Sequence, residues 1–197
     1  MLAVTFQSTA QFENNNGVYT VVFELDLSKK DIHQKINEWI AVNYKSAQDV
    51  IQLNTEDKVI VKGNYIVVMQ NTPYRVNNSL SFSIRDNKYK LDLNPSNVSN
   101  SIVKLSDAMS KQITEIYSPP KLDKELYNEM AIKMGVTYLK EFGWSDKKIA
   151  KEYLNKPIEE IHYSNYLADK KNWDSAIEAT FQSIKNYVSQ SNSDDDW

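Results

Sequence analysis

The chain has 197 residues, enough for one domain with an elaboration, and its 41% hydrophobic content can fill a sizeable core. Lys and Arg total 23 against 26 Asp and Glu, a formal charge of −3, so no broad positive field gathers nucleic acid or anionic lipid, although a local basic patch stays open. With no Cys, disulfides, thiolate metal sites and Cys nucleophiles are excluded, and no run approaches the roughly 20 apolar residues of a membrane helix.

The first stretch, "MLAVTFQSTAQ", has two readings. A short apolar run before Ser8, Thr9 and Ala10 is like the end of a secretory signal, which would leave "ENNNG" as the polar start of a mature chain and residues 1–16 outside the core. It lacks a basic n-region, and Leu2, Val4 and Phe6 also alternate as an edge strand would. From Val18 to Leu27 the period is 2, with Tyr19, Val21, Phe23, Leu25 and Leu27 on one face of a half-buried strand. Ser28 followed by Asp31 is a capping-box-like start, and Ile32, Ile36, Trp39 and Ile40 then share one helix face that must lie on a sheet.

Strands are predicted near 48–54 and over 58–69. In "NSLSFSIRDNKYKLDLN" a two-residue turn at Asp86 and Asn87 sets Ile84 opposite Tyr89, Phe82 opposite Leu91 and Leu80 opposite Leu93. The same register opposes Arg85 and Lys88, a small like-charge cost. Helices follow: one through Ile102, Leu105, Met109, Ile113 and Ile116 up to Pro119, one from Leu122 to Leu139, one from Ser145, and a last one carrying Trp173, Ile177, Phe181, Ile184 and Val188. The expected fold is α+β: an antiparallel sheet of about five strands with helices on one face, in β-α-β-β-β-β-α order, with a helical insert at about 100–168. Residues 17–190 are expected to form a single domain, and 191–197 an acidic tail.

Trp39, "YKSAQDVIQ" from Tyr44 to Gln52, "IVKG" from Ile60 to Gly63, the hairpin from Ser79 to Leu93 and the ending "NWDSAIEATFQSIKNY" with "DDDW" carry a resemblance. Together they resemble an uncharacterised family of exported Bacteroidetes proteins with a TATA-binding-protein-like (TBP-like) fold. The resemblance covers 18 to about 95. It implies an exported domain of unknown function and brings no functional residues with it.

No residue set stands out as catalytic. His33 reads as a surface residue of the first helix, and His162 beside Glu159 and Glu160 is too common a pairing to indicate a metal. The four glycines leave no phosphate-cradling loop, and no cofactor is expected. "WSDKKIAKEYLNKPIEEI" is faintly like a helix-turn-helix but puts Pro157 and two glutamates in the recognition segment, so nucleic acid is not expected as a partner. What remains is an exported interaction module for a protein or glycan partner in the periplasm or cell envelope, the alternatives being a hydrolase built from dispersed carboxylates and hydroxyls and a cytoplasmic location. The candidate surface is the second face of the 58–69 strand, where Ile60, Ile66 and Val68 join Val18 and Val22 and are bordered by Lys58, Lys62 and Lys90. That face is too apolar to front water alone, and the insert is expected to cover part of it. A bulge at Gly63 and Asn64 would reverse half of the assignment.

Overall fold

The computed structural model describes residues 12–102, 104–155 and 160–190. Six strands, β1 (Glu13–Asn15), β2 (Val18–Glu24), β3 (Ile51–Thr55), β4 (Lys58–Met69), β5 (Thr72–Arg85) and β6 (Lys88–Asn100), make one antiparallel sheet in the order β1-β2-β6-β5-β4-β3. The helices are α1 (Lys29–Asn43), the single turn α2 (Ala47–Val50), α3 (Asp107–Tyr117), α4 (Lys124–Glu141), α5 (Asp146–Glu152) and α6 (Glu160–Val188). The α+β architecture with helices on one sheet face is as expected, with six strands rather than about five.

Local chemistry explains most of these boundaries. Ser28 caps α1, its hydroxyl accepting from the Asp31 amide at 3.2 Å, and Ile32, Ile36, Trp39 and Ile40 are buried on the sheet. Ser106, Asp123 and Ser145 cap α3, α4 and α5 in the same way. The β5–β6 hairpin has the expected register, Ile84↔Tyr89, Phe82↔Leu91 and Leu80↔Leu93. Arg85 and Lys88 do oppose each other, but both are exposed, which limits the cost. Asp86 meanwhile accepts from the Lys29 amide at 2.8 Å, tying this turn to the start of α1.

Several expectations need correction. Residues 12–16 are not a loose extension: Asn16 and Gly17, at φ 51° and 89°, make the tight turn of a β1–β2 hairpin, and Phe12 packs 5.5 Å from the Tyr19 ring and 6.1 Å from Phe181. Residues 1–11 and 191–197 lie outside the described residues, as do 156–159 of the helix-turn-helix-like stretch. Residues 47–50 are helical rather than strand. Strand β6 runs on to Asn100, so α3 begins only at Asp107 and Ile102 lies exposed before it. The last helix starts at Glu160, which puts His162 in α6.

No bulge interrupts β4, whose register against β5 is continuous from Lys58↔Ser83 to Met69↔Thr72. The irregularity falls instead on β6, where Asn77 pairs with Asn97 and Asn78 with Pro95, leaving Ser96 as an extra residue. Val59, Val61, Tyr65, Val67 and Met69 are accordingly buried under the helices. The insert also lies on that side. Ile113, Ile116 and Tyr117 of α3 join Val76, Val98 and Trp173 in the same apolar cluster as Trp39 and Phe82. One broad sheet face accommodates α1, α3 and α6, with α4 stacked on the last two, so among the described residues the opposite face is left open and the expected partial cover is not seen.

Candidate functional site

The register places Lys58, Ile60, Lys62, Ile66, Val68 and Lys90 on the open face. Cross-strand rows can be read directly: Val22–Lys90–Ser83–Lys58, then Thr20–Asp92–Ser81–Ile60, Asn94–Ser79–Lys62, Asn97–Asn77–Asn64, Ser99–Arg75–Ile66, and finally Pro73–Val68. Val22, Ile66 and Val68 are 52%, 53% and 48% exposed, whereas Ile60 is half-buried. The apolar residues are therefore spread along two strands rather than gathered in one patch.

Charge on this face runs against that of the whole chain. Lys58, Lys62, Arg75, Arg85, Lys88 and Lys90 meet Glu13, Glu24 and Asp92. One of the cations is neutralised: Lys90 Nζ lies 2.8 Å from Asp92 Oδ2, and Thr20 donates to Asp92 Oδ1 at 2.7 Å. Lys58 and Lys62 have no ion pair among the described residues.

The outer edge of β4 is also open. Strand β3 pairs with it only from Lys58 to Val61. Beyond that, the Val68 carbonyl accepts from Asn172 Nδ2 at 2.9 Å, and Asp169 Oδ1 accepts from the Gln70 amide at 2.9 Å. Val50, which leads into β3 opposite Val61, and Tyr44 stand beside this edge at Gly63. Here the glycine is required for space, since a Cβ would come 2.6 Å from Tyr44 Oη and 2.9 Å from Asn78 Oδ1. Around it lies a concavity of about 550 Å³, lined by the two central rows (Lys62, Ser79, Asn94; Asn64, Asn77, Asn97), Ser96, Gly63, Asn78, Tyr44 and Val50.

The covered side holds the chain's other polar group set. Lys170 Nζ donates to Asp174 Oδ1 at 2.5 Å and to the Tyr19 hydroxyl at 3.2 Å, and Tyr19 donates to the same carboxylate oxygen at 3.0 Å. Burial lowers the Lys170 pKa against the pull of Asp174, and raises that of Tyr19 far above the ordinary phenol range. Asp169, also buried, takes the Tyr117 hydroxyl at 3.4 Å. These groups satisfy one another under stacked aromatic rings and clamp α6 to β2 and α3. His33 is half-buried and lies 2.8 Å from Asn54 Oδ1, and His162 is exposed near the start of α6. Among the described residues no three His, Cys, Asp or Glu side chains gather as a metal would require.

The sheet, its single helical layer and its open face are the setting for the comparisons with known proteins. Residues 19–99 match a family described as a domain of unknown function (DUF4468) with a TBP-like fold. The match to that family is confined to this segment. Over the longer chain, the crystal structure of a DUF4468 family protein from Bacteroides ovatus is similar at a TM-score of 0.54 and 11% identity, covering 95% of this chain and 94% of that one. A TBP-like protein from Parabacteroides distasonis is more distant, with a TM-score of 0.41 and 15% identity over 83% of this chain and 98% of that one. No curated protein matches.

The DUF4468 match starts at Tyr19 and ends at Ser99, so it takes in β2 to β6 and thus nearly all of the open face. A TBP-like fold does not bring TBP chemistry with it. Minor-groove binding of that kind needs large apolar wedges inserted from the sheet, yet in the six rows of the open face there is no Phe, Tyr or Trp. Of the aromatic residues of these strands, Tyr19, Phe23, Tyr65, Phe82 and Tyr89 are buried on the other side, and half-buried Tyr74 packs against the same core.

Sequence reasoning named the lysines and aliphatic residues and missed the asparagines. A signal for them existed: Asn is depleted in strands, yet Asn64, Asn77, Asn78, Asn94 and Asn97 all lie in β4, β5 and β6. Pro95 inside a central strand marked the bulge as well.

Proposed function

We propose that the chain is a non-catalytic, exported binding module whose open sheet face is the contact surface for a protein or glycan partner of the cell envelope. The observation that carries this reading is the one-sided layering: among the described residues α1, α3 and α6 pack against the sheet face that carries Phe82, with α4 stacked on α3 and α6, while Val22, Ile66 and Val68 stay about half exposed on the other face. A sheet face left bare with aliphatic side chains and unpaired lysines has what a contact surface requires. The run "LAVTFQSTA" supports export. Among the described residues no helix is long and apolar enough to cross a membrane.

The test separates folding from binding. Ile66→Asp on the exposed face should change stability by less than about 0.5 kcal/mol. In pull-downs from a native envelope extract, the same variant and Lys62→Glu should lose the partner that the unaltered chain retains. Equal capture by all three proteins would exclude the open face as the contact surface.

A further inference from the structure

We propose that the free outer edge of β4, from Asn64 to Val68, is where an extended acidic segment of a partner protein adds as a further strand. The inference rests on the binding-module reading and names the partner's chemistry and its mode of attachment. Gln70 and Asn71, at φ 47° and 61°, make a two-residue turn, so Met69 and Thr72 exchange backbone hydrogen bonds across it. Counting back along β4 in steps of two, Val67, Tyr65 and Gly63 also bond to β5, whereas Val68, Ile66 and Asn64 direct their N–H and C=O groups away from it. The Val68 carbonyl fixes the direction, since it is the one that Asn172 reaches at 2.9 Å.

Among the described residues nothing else takes these groups. Strand β3 pairs with β4 no further than Val61, and the backbones of Asn64 and Ile66 have no partner on that side. The gap is closed at both ends, by the Asn172 side chain at Val68 and by β3 with its leading turn α2 at Val61. What lies between suits a strand of about five residues, an ordinary strand length. A row of free N–H and C=O groups along an edge is a template for another strand, and main-chain bonds to it supply affinity.

Charge decides which strand fits. Strands β3, β4 and β5 contain no Asp or Glu, and their four cations, Lys58, Lys62, Arg75 and Arg85, all stand on the open face, in a chain whose formal charge is −3. Edge lysines hold other strands off by charge, so they exclude a basic strand and admit an acidic one. A second copy would bring Lys62 and Arg75 of both edges together. A phosphate polymer brings acceptors without the donors that the free carbonyls need. The segment that fits alternates acidic side chains, turned to the open face, with small aliphatic ones turned to the covered side, where Tyr65 and Val67 lie.

The probe is a capped hexapeptide of alternating Glu and Val, titrated into the full chain and followed by NMR of the backbone amides. Binding should shift the Asn64 and Ile66 amide signals saturably and slow their exchange with solvent by roughly tenfold or more. Two control peptides should each bind more weakly by roughly tenfold or more: one of alternating Lys and Val, and the Glu and Val peptide N-methylated on every residue so that it donates no backbone hydrogen bond. Asn64→Pro removes one outward N–H without touching the β5 ladder, at a place where an edge strand tolerates proline, and should weaken the first peptide to the same degree. Four results would overturn the proposal: no shift at Asn64 and Ile66, equal binding of either control peptide, a peptide affinity indifferent to Asn64→Pro, or sedimentation showing a dimer that Asn64→Pro dissolves, which gives the edge to a second copy. If no peptide binds while Ile66→Asp still abolishes capture of an envelope protein, the edge site falls and the binding-module reading stands.

Discussion

Lys170 carries its ammonium into the core at 4% exposure, and its stability there depends on one carboxylate. Asp174→Ala would leave that charge facing the Tyr19 hydroxyl alone, so unfolding in urea should show a loss of about 3 kcal/mol, the lower end for a broken buried pair, because Asp174 is itself partly exposed. Adding Lys170→Met should recover much of the loss, since a lysine-sized apolar side chain suits the same stacked rings. A double variant no more stable than Asp174→Ala would show that the carboxylate works through Tyr19 instead. At Gly63 the constraint is steric, with no positive φ. Gly63→Ala must displace both Tyr44 Oη and Asn78 Oδ1 and should cost about 1–3 kcal/mol, measured the same way. Pairing it with Tyr44→Phe should relieve part of that cost, because the nearer clash, at 2.6 Å, is with the hydroxyl.

At the scale of elements, the β5–β6 hairpin has the sharpest contrast between faces. Phe82 is fully buried against Trp39 and Tyr89, so Phe82→Ala should cost about 3–5 kcal/mol in chemical denaturation, while Ser81→Ala on the open face should be close to neutral. This hairpin was legible in the sequence because its strands alternate strictly and its turn residues agree with the register that the alternation demands. Strand β1 was not, since three residues are too few to show a period and its signal lay in the Asn16–Gly17 dipeptide. The first half of β5 was concealed by Asn and Pro. Pro73 is tolerated there because its missing N–H would point towards β6, which ends opposite Tyr74. The facing of the insert could not be read locally either. An amphipathic helix declares that it has an apolar side, not which surface will cover it, and here one sheet face takes α1, α3 and α6 while α4 packs on the last two. The candidate surface shared that fate: its aliphatic residues and lysines were visible by period 2, whereas the break in its rows depends on the Ser96 bulge, which only long-range pairing reveals.

At the scale of the whole molecule, the core is phenol-rich, and this gives the protein a definite response to alkali. Tyr19, Tyr65, Tyr89 and Tyr117 are buried, and desolvation raises the pKa of each far above the value near 10 that an unfolded tyrosine has; Tyr127 is pushed up to about 12. A group whose folded pKa is raised contributes fully below its unfolded pKa and loses that contribution as pH climbs towards the folded value. The unfolded chain therefore releases phenolic protons from pH 10 upward while the folded one retains them, at about 1.4 kcal/mol per tyrosine per pH unit. Lys170 acts in the opposite sense: its lowered folded pKa makes stability rise with pH between that value and about 10.4. One lysine opposes four deeply buried phenols, so the tyrosines dominate once pH exceeds 10. The expected outcome is a urea midpoint that changes little from pH 7 to 9 and then falls steeply, with the phenolate absorbance of these tyrosines appearing only as the protein unfolds. Tyr89→Phe should make the fall less steep, since its hydroxyl has no hydrogen-bond partner to lose. A smooth phenolate titration near pH 10 in a chain that is still folded would show that these rings reach water without unfolding.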